Sequence, residues 1–210
     1  MYNCIIFDID GTLLDNETAI LLSLQRIVQE ELNKNLSLDE LRFSLGIPSE
    51  VSLRQLGINN ILDSCIKWNK YFKEYTHHVK IFDGIKDTLI KLNEMKILTG
   101  IVTSKTREEF LNDFAVLDLN EYFKFVVCAD DTEKHKPNPD PILHFLKQSG
   151  ANKSKSIYIG DTKYDMECAF GAGVDFALAL WGAKSSAGIN ANYILEHPKQ
   201  ILELIKTSIA

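Results

Sequence analysis

Cys4-Ile5-Ile6-Phe7-Asp8-Ile9-Asp10-Gly11-Thr12 decides how the rest of the chain is read. The apolar run has the composition of a buried strand, and it closes on two carboxylates. Side chains two residues apart share one face of a strand, so Asp8 and Asp10 can serve one site. Gly11 lets the backbone turn sharply beside them. Two acids held close are costly unless a cation or a proton lies between them. A Mg²⁺-dependent phosphoryl-transfer site at the carboxyl edge of a sheet is the expectation.

From about residue 83 onward, helical periods alternate with short apolar runs at 98–102, 125–128, 156–159 and 176–180. Ile85, Leu89 and Leu92 mark one helical face, and Thr106 with Glu109 forms a capping box for the next helix. Further helices are predicted at 141–147, where Gly150 can terminate the turn, and at 162–170. Pro198 opens a closing helix with Ile201, Leu202, Leu204 and Ile205 on its apolar side. Alternation of this kind builds right-handed βαβ units and a parallel sheet covered on both faces.

Residues 16–82 show no strand pattern, only helical periods at 17–32, 37–45, 50–56 and 61–75. Ser37 and Glu40 form a capping box for the second, and Ile66, Tyr71 and Tyr75 are among the apolar positions of the fourth. The expected fold class is therefore α/β: a Rossmann-like parallel-sheet core of residues 1–15 and 83–210, with an inserted all-helical cap domain at 16–82. The insert leaves beside the two aspartates and returns near Asp83-Gly84. That places it over the carboxyl ends of the strands, where α/β sheets bind ligands.

Composition narrows the partners. The 210 residues carry a net charge of −6 with scattered basic residues, which argues against nucleic acid. No apolar run approaches the ~20 residues of a membrane helix, and strand residues start with no basic region before them, so no signal peptide is expected. Cys4, Cys65, Cys128 and Cys168 share no CxxC spacing and read as buried thiols of a reducing cytoplasm. A monomer or a homodimer is expected.

Four strand ends carry polar groups that a parallel sheet would bring to one edge. The first holds Asp8 and Asp10; the second ends in Thr103-Ser104, whose hydroxyl and amide groups can bind phosphate oxygens. The third is followed by His135-Lys136-Pro137, and the fourth by Gly160-Asp161 and then Asp165. Asp8, deepest in its strand, is the expected nucleophile, and Asp10 the acid and base that serves the leaving oxygen and then water. Lys136 would bridge the nucleophile and the phosphate. Asp8, the carbonyl of Asp10 and Asp161 would hold Mg²⁺, with Asp165 behind them.

Asp8-Ile9-Asp10-Gly11-Thr12, Thr103, Lys136-Pro137 and Gly160-Asp161…Asp165 resemble, in order, the four motifs of the haloacid dehalogenase superfamily. The helical insert resembles that superfamily's first (C1-type) cap. Leu180-Trp181-Gly182 and the 191–194 segment resemble its phosphoglycolate phosphatase-like branch. The resemblance implies a phosphatase that acts on a small phosphorylated metabolite through an aspartyl-phosphate. Phosphoglycolate, a sugar phosphate, a nucleotide and pyrophosphate all fit the core. The alternatives are a β-phosphoglucomutase-like phosphotransferase and a non-catalytic binding protein on the same fold. Asp10 argues against dehalogenases and phosphonate-cleaving relatives, which lack an acid there. Ile20 and Ser49 stand where the mutases place a histidine and an arginine, so water is the expected acceptor.

Overall fold

The computed structural model describes residues 1–114, 117–183 and 185–205. The chain runs through β1 (Cys4–Phe7), β2 (Leu14–Asp15), and the helices α1 (Glu17–Leu32), α2 (Leu38–Leu41), α3 (Ser49–Gln55) and α4 (Ile61–Glu74). It continues with β3 (Lys80–Ile81), α5 (Ile85–Glu94), β4 (Leu98–Val102), α6 (Arg107–Glu109) and β5 (Phe125–Val127). It ends with α7 (Asp140–Ser149), β6 (Ser156–Gly160), α8 (Lys163–Ala172), β7 (Asp175–Ala179) and β8 (Tyr193–Leu195).

Six parallel strands form one sheet in the order β5-β4-β1-β6-β7-β8. Alternate residues of β1 enter different cores. Ile5 and Phe7 pack with Leu89, Phe114 and Ile201 on one face, and Cys4 and Ile6 with Ile142, Phe145 and Cys168 on the other. This two-sided burial explains why the strands read as continuous apolar runs. After β5 the chain crosses to the opposite side of β1, so β1 is the switch point of the sheet and its carboxyl end opens into the ligand crevice.

The segment between β2 and β3 has its own core, in which Leu24, Ile27 and Val28 of α1 meet Leu41, Leu53, Trp68 and Tyr71. The antiparallel pair Leu14–Ile81 and Asp15–Lys80 closes the base of this segment. β3 corrects the expectation that 16–82 holds no strand; two residues are too few to show a period. Ile66 is 61% exposed, contrary to its reading as an apolar position of the fourth helix. α4 buries Ser64, Trp68, Tyr71 and Phe72, and that stripe leaves Ile66 on the opposite side.

Two further differences have local causes. Pro198–Glu203 forms a 3₁₀ turn rather than an α-helix, and its Leu204 N–H donates to Ile201 O at 3.2 Å. β8 lies outside the predicted strands because it is a three-residue edge whose Tyr193 and Ile194 stay exposed. Of the four thiols, Cys4, Cys128 and Cys168 are buried as expected, but Cys65 is only partly so, and all four are free.

Gly100 sits where α7 crosses β4. A Cβ there would fall 2.1 Å from Phe145 Cε2 and 3.0 Å from Phe125 O. Gly100→Ala is therefore expected to cost about 1–3 kcal/mol through overpacking, read as a lower urea midpoint with an unchanged m-value.

Candidate active site

The ladder of β1 continues to Asp8, whose amide donates to Ile159 O at 2.9 Å. This holds the carboxylate at the switch point, 2% exposed. The chain then turns at Gly11 with φ +76°, and a Cβ there would lie 2.2 Å from Asp161 Oδ2. Glycine thus supplies both the positive φ and the space for the acid at the end of β6. Thr12 donates its hydroxyl to Asp161 Oδ1 at 3.2 Å. From the other side, Trp181 Nε1 donates to Thr12 O at 2.9 Å.

Lys136 enters between the acids. Its Nζ lies 3.0 Å from Asp8 Oδ1 and 2.7 Å from Asp165 Oδ1, and all three side chains are buried. It also donates to Tyr158 Oη at 3.2 Å, and that hydroxyl contacts Val102 O at 2.8 Å. The second oxygen of Asp165 accepts from the Thr162 amide at 3.0 Å and from the Thr162 hydroxyl, which caps α8. Both oxygens of Asp165 thus already have protein donors.

Carboxylate oxygens from Asp8, Asp161 and Asp165 lie within 4.8 Å of one another. Burial, with Asp165 and Asp10, pushes Asp8 up to about 7 against the downward pull of Lys136. Desolvation, Asp165 and Asp8 likewise raise Asp161 well above the usual carboxylate range. Burial alone would lower the Lys136 ammonium, but Asp165 and Asp8 outweigh it and hold the group well above its ordinary value. Three acids against one ammonium leave an excess of negative charge in an all-oxygen donor set. That is the environment a hard divalent cation relieves.

Asp10 stands apart from these three and lines a cavity of about 60 Å³. Its Oδ1 accepts from Asn16 Nδ2 and lies 3.4 Å from Lys105 Nζ. Thr103 is buried, and its Oγ1 accepts from the Lys105 amide at 3.2 Å, which leaves the hydroxyl its own proton to donate. Ser104 also lines the cavity, but its hydroxyl donates to Gly46 O at 2.8 Å across the interface with the helical segment. Ser49 makes a second such contact, donating to Glu109 Oε1 at 2.8 Å. Ile20, Leu45, Trp68 and Phe72 complete an apolar roof.

All seven residues singled out from sequence meet at one sheet edge. Asp8, Lys136 and Asp165 form its buried cluster with the half-buried Asp161, and Asp10, Thr103 and Ser104 flank it. Sequence reasoning missed Lys105, Asn16 and Tyr158. Tyr158 had a signal, a phenol set between Ile157 and Ile159 in a buried strand, and Lys105 directly follows Thr103-Ser104. Asn16 had none.

The profile of the haloacid dehalogenase-like hydrolases matches residues 5–179. The chain belongs to that family. This hydrolase is 31% identical to a protein of Caldanaerobacter subterraneus subsp. tengcongensis with a provisional pyrophosphatase name (PpaX), over 96% of this chain and 94% of the other. It is 28% identical to a phosphoglycolate phosphatase of Aquifex aeolicus, covering 98% of this chain and 97% of that one. Among solved structures it resembles one from Lactobacillus plantarum, provisionally assigned as a phosphoglycolate phosphatase. The TM-score is 0.88 at 26% identity, covering 97% of this chain and 99% of the other.

Tyr158→Phe removes one oxygen partner of the buried Lys136 ammonium. The expected loss is about 1–3 kcal/mol of stability, measured by urea unfolding, together with a lower kcat.

Proposed function

We propose that this hydrolase is a Mg²⁺-dependent phosphatase that cleaves a small phosphorylated metabolite through an aspartyl-phosphate on Asp8. The observation that carries the proposal is the buried Asp8–Lys136–Asp165 triad, adjoining a cavity where Asp10 stands. Asp8, Asp161 and the backbone carbonyl of Asp10 would hold the cation, and Asp165 acts chiefly by holding Lys136. A divalent cation bound there supplies charge neutralisation for the phosphoryl oxygens.

The remaining work falls to the chain's own side chains. Asp8 Oδ attacks phosphorus as the bond to the leaving oxygen breaks. Asp10, oriented by Asn16 and Lys105, gives its proton to that oxygen. Asp10 then takes a proton from water, whose oxygen displaces Asp8 and releases inorganic phosphate. Lys136, Thr103 and the amides near Ser104 bind the phosphoryl oxygens. The segment 16–82 acts as a cap: its roof excludes water from the first attack.

Ser49 donates to Glu109, and no arginine is among the described residues that line the cavity, which supports water over a second phosphorylated acceptor. The four free thiols support a reducing cytoplasm, and among the described residues no helix is long and apolar enough to cross a membrane.

Phosphate release from a panel of phosphoesters is expected with Mg²⁺ and not with EDTA, and Asp8→Asn is expected to abolish it. Release by Asp8→Asn at the wild-type rate would refute the covalent route. Asp10→Asn should keep a residual rate, lower by roughly 10²–10⁴-fold. Mg²⁺ is expected to raise the melting temperature of the wild type, because it binds only the folded acid cluster.

A further inference from the structure

The cavity has two ends, each with its own charged groups. Asp8 lies at its base, and in-line displacement puts the leaving oxygen on the far side of phosphorus, toward Asp10 and the cap. On that side the charged lining residues are Asp10, Glu109, Asp113 and Lys105, and no other Lys, Arg or His is among the described residues that line the cavity.

Lys105 is buried and already committed. Its Nζ lies 3.4 Å from Asp10 Oδ1 and 3.0 Å from Asp113 Oδ2, and it faces the Phe72 ring at 5.1 Å from the centroid. Asp113 is nearly buried too, with a side chain 11% exposed. Glu109, at the end of α6, and Asp113, in the π-helical turn that follows, both line the cavity. With Asp10 carrying the proton it gives to the leaving oxygen, the single cation of the leaving-group side is still outnumbered two to one by Glu109 and Asp113, in surroundings where water screens little.

We propose that Asp113 is a specificity-determining residue: by neutralising Lys105 it makes the leaving-group side repel anions, so the enzyme favours phosphate esters of neutral or amine-bearing alcohols. The inference rests on the phosphatase function proposed above and narrows its substrate class. A leaving group with its own carboxylate or phosphate would face Glu109 and Asp113 with no uncommitted cation. A hydroxyl or an ammonium would find acceptor oxygens there. The apolar contacts of Trp68 and Phe72 suit the carbon skeleton of either.

Three substrates of nearly equal size isolate the charge: phosphoglycolate, 2-hydroxyethyl phosphate and ethanolamine phosphate, with pyrophosphate as a fourth, all at matched free Mg²⁺. For the wild type, kcat/KM on the neutral and cationic esters is expected to exceed that on the two anionic ones by about tenfold or more. Asp113→Asn should raise the ratio of kcat/KM on phosphoglycolate to that on 2-hydroxyethyl phosphate by about tenfold, and Asp113→Glu should leave that ratio in place. A merely structural role for Asp113 would depress all four substrates together and leave the ratio unmoved, which overturns the inference. So does a wild type that prefers phosphoglycolate or pyrophosphate, although the phosphatase function then stands. Release from none of the four with Mg²⁺ would remove that function and this inference with it. If Asp113→Asn does not fold, the order of the four wild-type values decides alone.

Discussion

The Lys136 ammonium, buried between Asp8 and Asp165 at 3.0 and 2.7 Å, is the contact on which the rest of the site depends. A lysine so deep in the protein would lose its proton or swing to solvent without compensating carboxylates, and the carboxylates would protonate without it. Each charged group is therefore held in place by the others. Their supports come from separate elements: Asp8 directly follows β1, β6 carries Tyr158, α8 carries Asp165, and the loop before α7 carries Lys136. The parallel sheet matters to function because it brings these four chain segments to one edge.

Close approaches of backbone to side chain make that edge possible. A Cβ at Gly160 would lie 2.6 Å from Asp165 Cβ, and one at Gly182 would lie 1.7 Å from Gly11 O. The turn after β1, the end of β6 and the loop after β7 are thus packed to backbone distance around the acids. The missing side chains are part of the design, since any larger residue would push Asp161 or Asp165 away from Asp8.

What the sequence disclosed follows the range of each signal. Asp8 and Asp10 announce themselves because acids ending an apolar strand are chemically costly, and the box of Thr162 and Asp165 is written in adjacent residues. Lys136 is legible only through its place in the order of motifs. Lys105 and Asp113 were not legible as a pair: the chain passes from α6 into a π-helical turn at Phe110–Phe114, and no local pattern says where that turn aims Asp113. The roof was illegible for a similar reason. Periodicity tells which face of α4 is buried, but not that Trp68 and Phe72 lie over a site rather than only within the helical core. β3 and β8 escaped because each is two or three residues long.

The loop from Thr103 to Glu109 joins two tasks that could have been separate. Thr103 is anchored at the end of β4, its amide donating to Val127 O at 3.0 Å, beside the buried acids. The same stretch holds the helical segment, the Ser104 hydroxyl donating to Gly46 O and Glu109 Oε1 accepting from the Ser49 hydroxyl, each at 2.8 Å. The Thr106–Glu109 capping box stiffens the stretch between them, with the Thr106 amide donating to Glu109 Oε2 at 2.7 Å. Glu109 thereby binds its own turn with one oxygen and the helical segment with the other. A shift of the helical segment at Ser49 must either break that hydrogen bond or carry Glu109 and its box along. The geometry of the Thr103–Glu109 stretch and the seating of the helical segment are therefore set by the same few hydrogen bonds, and neither can change far without the other.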